Sequence, residues 1–259
     1  MKKKYTYTAI IIVIALLITG FVMGYRIDDF AIKKSGVVNL TLPYKNSTIY
    51  VDNKKYKTSK EDNQEIAVSP LSEGSHTIVV GIDGKWPWTK KVTTPYGSIQ
   101  NFSAWNLEQT PEVKFIEKNS LGYDEKITNI NAYKLPTSAS VITSDNEKIS
   151  IYVENNAIMA RWNDNAESAP SIFCIDSHNC NRTASIINLA KEVKQLFFYP
   201  GTDDRIIFVT EGAVSALDIS EIGNQNYQYI MLGIKPMIYL NENIMFILDG
   251  EALGEITLK

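Results

Sequence analysis

From Tyr5 to Tyr25 the chain runs for 21 residues without a charge, mostly Ile, Val, Leu and Ala, directly behind Lys2, Lys3 and Lys4. At ~1.5 Å per residue such a run forms a helix roughly 30 Å long, the thickness of a bilayer core. A cleavable secretory signal has a shorter apolar region of about 7–15 residues, so the length predicts an uncleaved signal-anchor helix. Lysines favour the cytoplasmic side, which places Asp28, Asp29 and everything after about residue 26 outside the cytoplasm. The expectation is a single-pass membrane protein with a cytoplasmic N-terminus. Cleavage after Gly20 or Gly24 is the alternative, although neither offers a small-x-small pattern.

The extracytoplasmic part is acidic. From Ile27 onward, 22 of the chain's 26 Lys and Arg stand against 29 Asp and Glu, a net charge of −7, which disfavours nucleic acid as a partner. Its only cysteines, Cys174 and Cys180, lie in the segment FCIDSHNC. Outside the cytoplasm such a pair is expected as a disulfide, with free thiols or a metal site as alternatives. A zinc site needs more ligands than His178 between the two cysteines supplies, and the only other histidine is the distant His76. No metal and no cofactor are expected.

Period-two alternation predicts strands at Val37–Leu42, Thr48–Asp52, His76–Asp83, Thr89–Thr94 and Ile99–Leu107, with turns at Asp52-Asn53, Ser72-Glu73-Gly74, Asp83-Gly84 and Tyr96-Gly97. They predict a small antiparallel β-sandwich over 36–108, behind a juxtamembrane linker at 27–35. Within it, Ile49-Tyr50-Val51-Asp52-Asn53-Lys54 followed by Leu71, Gly74, His76, Ile78 and Val80 resembles the PEGA domain, whose strands read "vyvdgk" and "l-x-x-G-x-h-x-v-x-v". The namesake tetrapeptide is degraded to PYKNS, and the match covers about Gly36 to Leu107. The resemblance implies a surface-displayed β-sandwich without chemistry of its own, in a PEGA-domain bacterial surface protein.

Between 109 and 143, Pro111, Gly122, Pro136 and the TSAS stretch break the alternation, predicting a connector. From 144 to 259 an internal repeat appears. KISIYVENNAIMARW, RIIFVTEGAVSALDI and NIMFILDGEALGEITL each read as strand, tight turn, strand, with Ile149, Ile206 and Ile244 in corresponding places. The spacing points to propeller-like blades, but three blades do not close a ring, so an open or partial β-propeller and a second sandwich are both expected architectures. The fold class is thus all-β with one N-terminal transmembrane helix.

Trp86-Pro87-Trp88 is the candidate ligand site, two indoles about a proline that offer a stacking platform for a sugar ring; the competing reading puts them in a core. Asn163-Asp164-Asn165 with Glu167, and Asp203-Asp204, are rich in oxygen but lack the spacing of a calcium loop, and read as solvated turns. No catalytic motif is present, so no enzyme is expected. The sequence predicts a non-catalytic, membrane-anchored protein binding a cell-envelope polysaccharide or surface protein. The rival is an assembly component acting through β-edge pairing, with a glycan-active enzyme third.

Overall fold

The computed structural model describes residues 10–15, 17–20, 24–28, 31–164, 169–176, 179–219 and 226–258. The protein is mostly β and divides into two units, Met1–Ile82 with Pro87–Asn106, and Asp83–Trp86 with Leu107–Lys259. Residues 10–15 and 17–20 are helical, with Ile10–Ile14, Leu17 and Ile18 between 50 and 66% exposed. Among the described residues no helix is long and apolar enough to cross a membrane. The expected flanking lysines, Tyr5–Ala9, Leu16, Phe21–Met23 and Asp29 lie outside the described residues, whereas Tyr25, the last residue of the apolar run, opens a strand.

The stretch expected as a juxtamembrane linker is instead a hairpin, β1 (Tyr25–Asp28) paired with β2 (Ala31–Lys34). It leads into seven strands, β3 (Gly36–Leu42), β4 (Thr48–Val51), β5 (Lys54–Thr58), β6 (Gln64–Leu71), β7 (Gly74–Gly81), β8 (Trp88–Thr94) and β9 (Ile99–Ser103). They form a three-stranded sheet of order β6-β3-β9 and a four-stranded sheet of order β5-β4-β7-β8. Alternate residues point to opposite faces of a strand. Val38, Leu40, Leu42, Ile66 and Val68 of the first sheet, and Ile49, Ile78, Val80, Trp88 and Val92 of the second, are accordingly buried. The Asp52-Asn53 turn places both residues at positive φ, 48° and 64°, the mirror-image geometry that suits the twist of a two-residue hairpin. Strand β5 lies at a sheet edge and exposes Lys54, Lys55 and Lys57, which discourage pairing with a foreign strand.

The antiparallel expectation is corrected at one ladder, because β3 and β9 pair in parallel. The first and last strands of the seven therefore run the same way, and the chain enters at the pole of Gly36 and leaves at the pole of Leu42. There the Ala104 N–H donates to the Thr41 carbonyl at 3.0 Å. Seven residues of strand separate the poles by roughly 20 Å.

The second unit begins before the expected boundary at 144. The stretch 109–143, expected as a connector, contributes β10 (Lys114–Ile116), the helix Tyr123–Asn131 and β11 (Ile142–Thr143). These are followed by β12 (Ile149–Glu154), β13 (Ala157–Trp162), β14 (Cys174–Asp176), β15 (Asn179–Cys180) and β16 (Thr183–Asn188). Next come β17 (Val193–Phe198), β18 (Arg205–Thr210), β19 (Ala213–Asp218), β20 (Tyr227–Leu232), β21 (Met237–Asn241), β22 (Ile244–Asp249) and β23 (Ala252–Thr257). Among the described residues they form three four-stranded sheets, β11-β12-β13-β16, β17-β18-β19-β20 and β10-β23-β22-β21, and the small hairpin β14-β15. The repeat seen in the sequence supplies the two middle strands of each sheet, β12-β13, β18-β19 and β22-β23, each joined by a two-residue turn. Of these middle strands β19 is buried throughout its length, whereas β22 and β23 keep exposed ends.

Strand β10 completes the third sheet although it precedes the other two in sequence. Its approach to β23 relies on Gly254, where a Cβ would lie 2.6 Å from Val113 Cγ1. Two edge strands, β17 and β21, have outward backbone groups satisfied by side chains. Tyr133 Oη accepts from the Leu196 N–H of β17 at 2.9 Å and donates to the Leu196 carbonyl at 2.7 Å. Gln195 repeats the device on β21, donating from Nε2 to the Ile238 carbonyl at 3.0 Å and accepting the Ile238 N–H on Oε1 at 2.6 Å. A buried backbone group without a partner is costly, so these two side chains take the place of a neighbouring strand.

Candidate binding surface

The Trp86-Pro87-Trp88 motif is divided between the two units, Asp83–Trp86 going to the second and Pro87-Trp88 to the first. Trp88 opens β8 on its inward face, is 1% exposed and packs against Phe102 with ring centroids 6.4 Å apart. Trp88 thus follows the competing core reading and offers no accessible face to a ligand.

Trp86 is half-buried in the second unit. Its backbone N–H donates to the Leu107 carbonyl and its indole Nε1–H to the Tyr229 carbonyl of β20, both at 2.8 Å. Lys85 is ion-paired with Glu108, and Gln109 N–H donates to the Gly84 carbonyl at 2.9 Å, holding this loop to the segment that follows Asn106. The Trp86 ring meets Tyr229 edge-on at 6.2 Å, Tyr229 meets Tyr227 at 5.2 Å, and Tyr227 meets Phe208 at 5.6 Å. Tyr227 and Tyr229 stand two apart on β20 and so share a face, where they are 37 and 39% exposed. Between them Gln228 points the other way, is buried, and accepts the Leu107 N–H on Oε1 at 2.8 Å. Burial raises the Tyr227 pKa, opposed by its hydrogen bond with Ser215 and reinforced by Tyr229, so the phenol stays neutral. The result is a row of three aromatic side chains with hydroxyls beside apolar ring edges. The Tyr-Gln-Tyr alternation was the available signal for the two tyrosines, but nothing local to Trp86 indicated that it would join them.

His76 forms the clearest ionic arrangement in the first unit. Its Nδ1 lies 2.7 Å from Asp52 Oδ2 and its Nε2 3.0 Å from the Ser72 carbonyl, so both nitrogens face acceptors. Desolvation lowers its pKa, but the bonds to Asp52 and Ser72 outweigh that, and the net shift is upward from 6.5. The Asp52 carboxyl is held below its ordinary range by the hydrogen bond to His76 and then by the Thr77 N–H. A histidine bonded in this way fastens the β4-β5 turn to β7 and leaves no ring nitrogen open for a metal or a substrate.

Cys174 and Cys180 are register partners in the β14-β15 hairpin, Cys180 is disulfide-bonded, and neither cysteine is free. His178, Asn165 and Glu167 lie outside the described residues. Asn163 is committed to the Glu147 carbonyl and Ser150 Oγ, while Asp203 accepts from Asn146 Nδ2 at 2.8 Å. Among the described residues no group of three or more His, Cys, Asp or Glu is placed to hold a metal ion.

No family model matches the chain, and no curated protein matches it.

Proposed function

We propose that this chain is a non-catalytic protein anchored by its N-terminal helix, with both β units outside the cytoplasm and the second unit binding an envelope polysaccharide or surface protein. The first unit is read as PEGA-like on its quoted motifs, and the three sheets of the second as blades of a partial, propeller-like array. The observation that carries the binding reading is the row Trp86, Tyr229 and Tyr227, since rings with adjoining hydroxyls suit both the C–H faces and the hydroxyls of a sugar. The apolar run at Tyr5–Tyr25 and its exposed helical residues support the anchor. Edge pairing is the weaker reading, because Tyr133, Gln195 and Trp86 already bond backbone groups on the edges of β17, β21 and β20.

The test is retention of the detergent-solubilised full chain on immobilised envelope polysaccharide and, in parallel, on solubilised envelope proteins. A Tyr227→Ala/Tyr229→Ala variant should lose retention while keeping its unfolding transition. Retention unchanged in that variant would remove the aromatic row from the site, and capture by neither matrix would overturn the binding reading.

A further inference from the structure

We propose that the Gly36 pole of the first unit rests on the lipid head-group layer and binds anionic phospholipid through its lysines. The inference depends on the anchor reading above. Just beyond the helical residues, the Gly24 carbonyl accepts both the Ser35 N–H at 2.8 Å and Ser35 Oγ at 2.7 Å. Ser35 immediately precedes β3, so the hairpin β1-β2 returns the chain to where it began instead of carrying the sandwich away. The hairpin is in turn stitched to the loop after β8. Gly97 N–H donates to the Lys34 carbonyl, and Val37 N–H to the Ser98 carbonyl, both at 2.9 Å. Lys33 Nζ donates to Tyr96 Oη at 2.9 Å and lies 4.4 Å from that ring's centroid.

The chemistry of this pole fits an interface. Tyr25 and Tyr96 are amphipathic rings of the type that settles among head groups, and exposed Tyr25 sits across from Lys34 in the hairpin. Among the residues whose side chains are described, Lys33, Lys34 and Lys54 lie at this end with Glu73 and with Asp52, whose charge is engaged by His76, and β1 of the same hairpin adds Arg26 and Asp28. The opposite pole is balanced, with Lys45 and Lys60 against Glu61 and Asp62. Each lysine brought to an anionic surface is worth about fivefold in association.

The test uses the full chain in nanodiscs containing phosphatidylglycerol, with the native cysteines disulfide-bonded and one engineered thiol at a time carrying a fluorophore. Glu73→Cys marks the proposed contact and Glu61→Cys the opposite pole roughly 20 Å away. A head-group quencher should reduce the signal at position 73 at least threefold more than at 61. Replacing phosphatidylglycerol by phosphatidylcholine, or introducing Lys34→Glu with Lys54→Glu, should shrink that difference. Equal quenching in protein that co-elutes with nanodiscs would overturn the docking while leaving the anchor intact, and an unchanged difference on removal of charge would overturn the role of the lysines. Failure to co-elute would overturn the anchor itself.

Discussion

Replacing Gln195 by Met isolates what the side-chain bridge to β21 contributes. Gln195 is 1% exposed and Ile238 fully buried, so neither the Ile238 N–H nor its carbonyl has water to turn to once the amide is gone. Each orphaned group costs ~1–3 kcal/mol. Met nearly matches the length of Gln, so little cavity forms, and its apolar burial offsets about 1 kcal/mol. The net expectation is a loss of about 1–5 kcal/mol from the second unit, a fall in its melting temperature of about 3–15 °C at roughly 3 °C per kcal/mol for a unit of this size. Urea unfolding followed together with amide exchange of β21 measures both the total and its location. The β21 amides should lose protection first, since an unbridged edge opens locally before the sheet does. A cost below about 1 kcal/mol with unchanged β21 exchange would refute the claim that the amide substitutes for a strand.

Burial raises the Tyr133 pKa from 10.0 to about 12, opposed by its bond to Leu196. Its stabilisation is therefore full below about pH 10 and lost as pH climbs through about 12, a slope that Tyr133→Phe should abolish in pH-dependent unfolding. In the first unit, the raised His76 value means stabilisation that is full below 6.5 and lost as pH rises through the higher folded value. The lowered Asp52 value means stabilisation that is full above 3.8 and lost as pH falls through the lower folded value. The pair's contribution should thus be greatest between about pH 3.8 and 6.5, and His76→Gln should flatten both limbs of a stability–pH curve. Trp88→Ala should cost about 3–5 kcal/mol by emptying the first core, measured by urea unfolding, whereas Trp86→Ala should leave the first unit's transition unchanged.

The strands legible in advance were those whose alternation is strong. Val38, Leu40 and Leu42, or Ile78 and Val80, announce an inward face by themselves, and Asn155-Asn156 and Gly212 announce the turns that join the repeated hairpins. Strand β5 gave no such sign because its residues are Lys54, Lys55, Tyr56 and Lys57, all exposed at a sheet edge where pairing, not burial, defines the strand. Strand β6 carries only a short alternation, Ile66 and Val68, before Ser69-Pro70 interrupts it. The three residues of β10 are too few to show a period, and their partner β23 is more than a hundred residues away.

Local pattern by itself determined an apolar N-terminal run, an all-β remainder, the tight turns and the threefold hairpin repeat, because each depends on residues near one another in sequence. Only the tertiary structure decided that β3 and β9 run parallel, that 109–143 joins the second unit, and that Trp86 and Trp88 part company. Those outcomes turn on which distant backbone groups and faces find partners. A proline between two tryptophans carries no information about whether Phe102 or Tyr229 will be waiting for each.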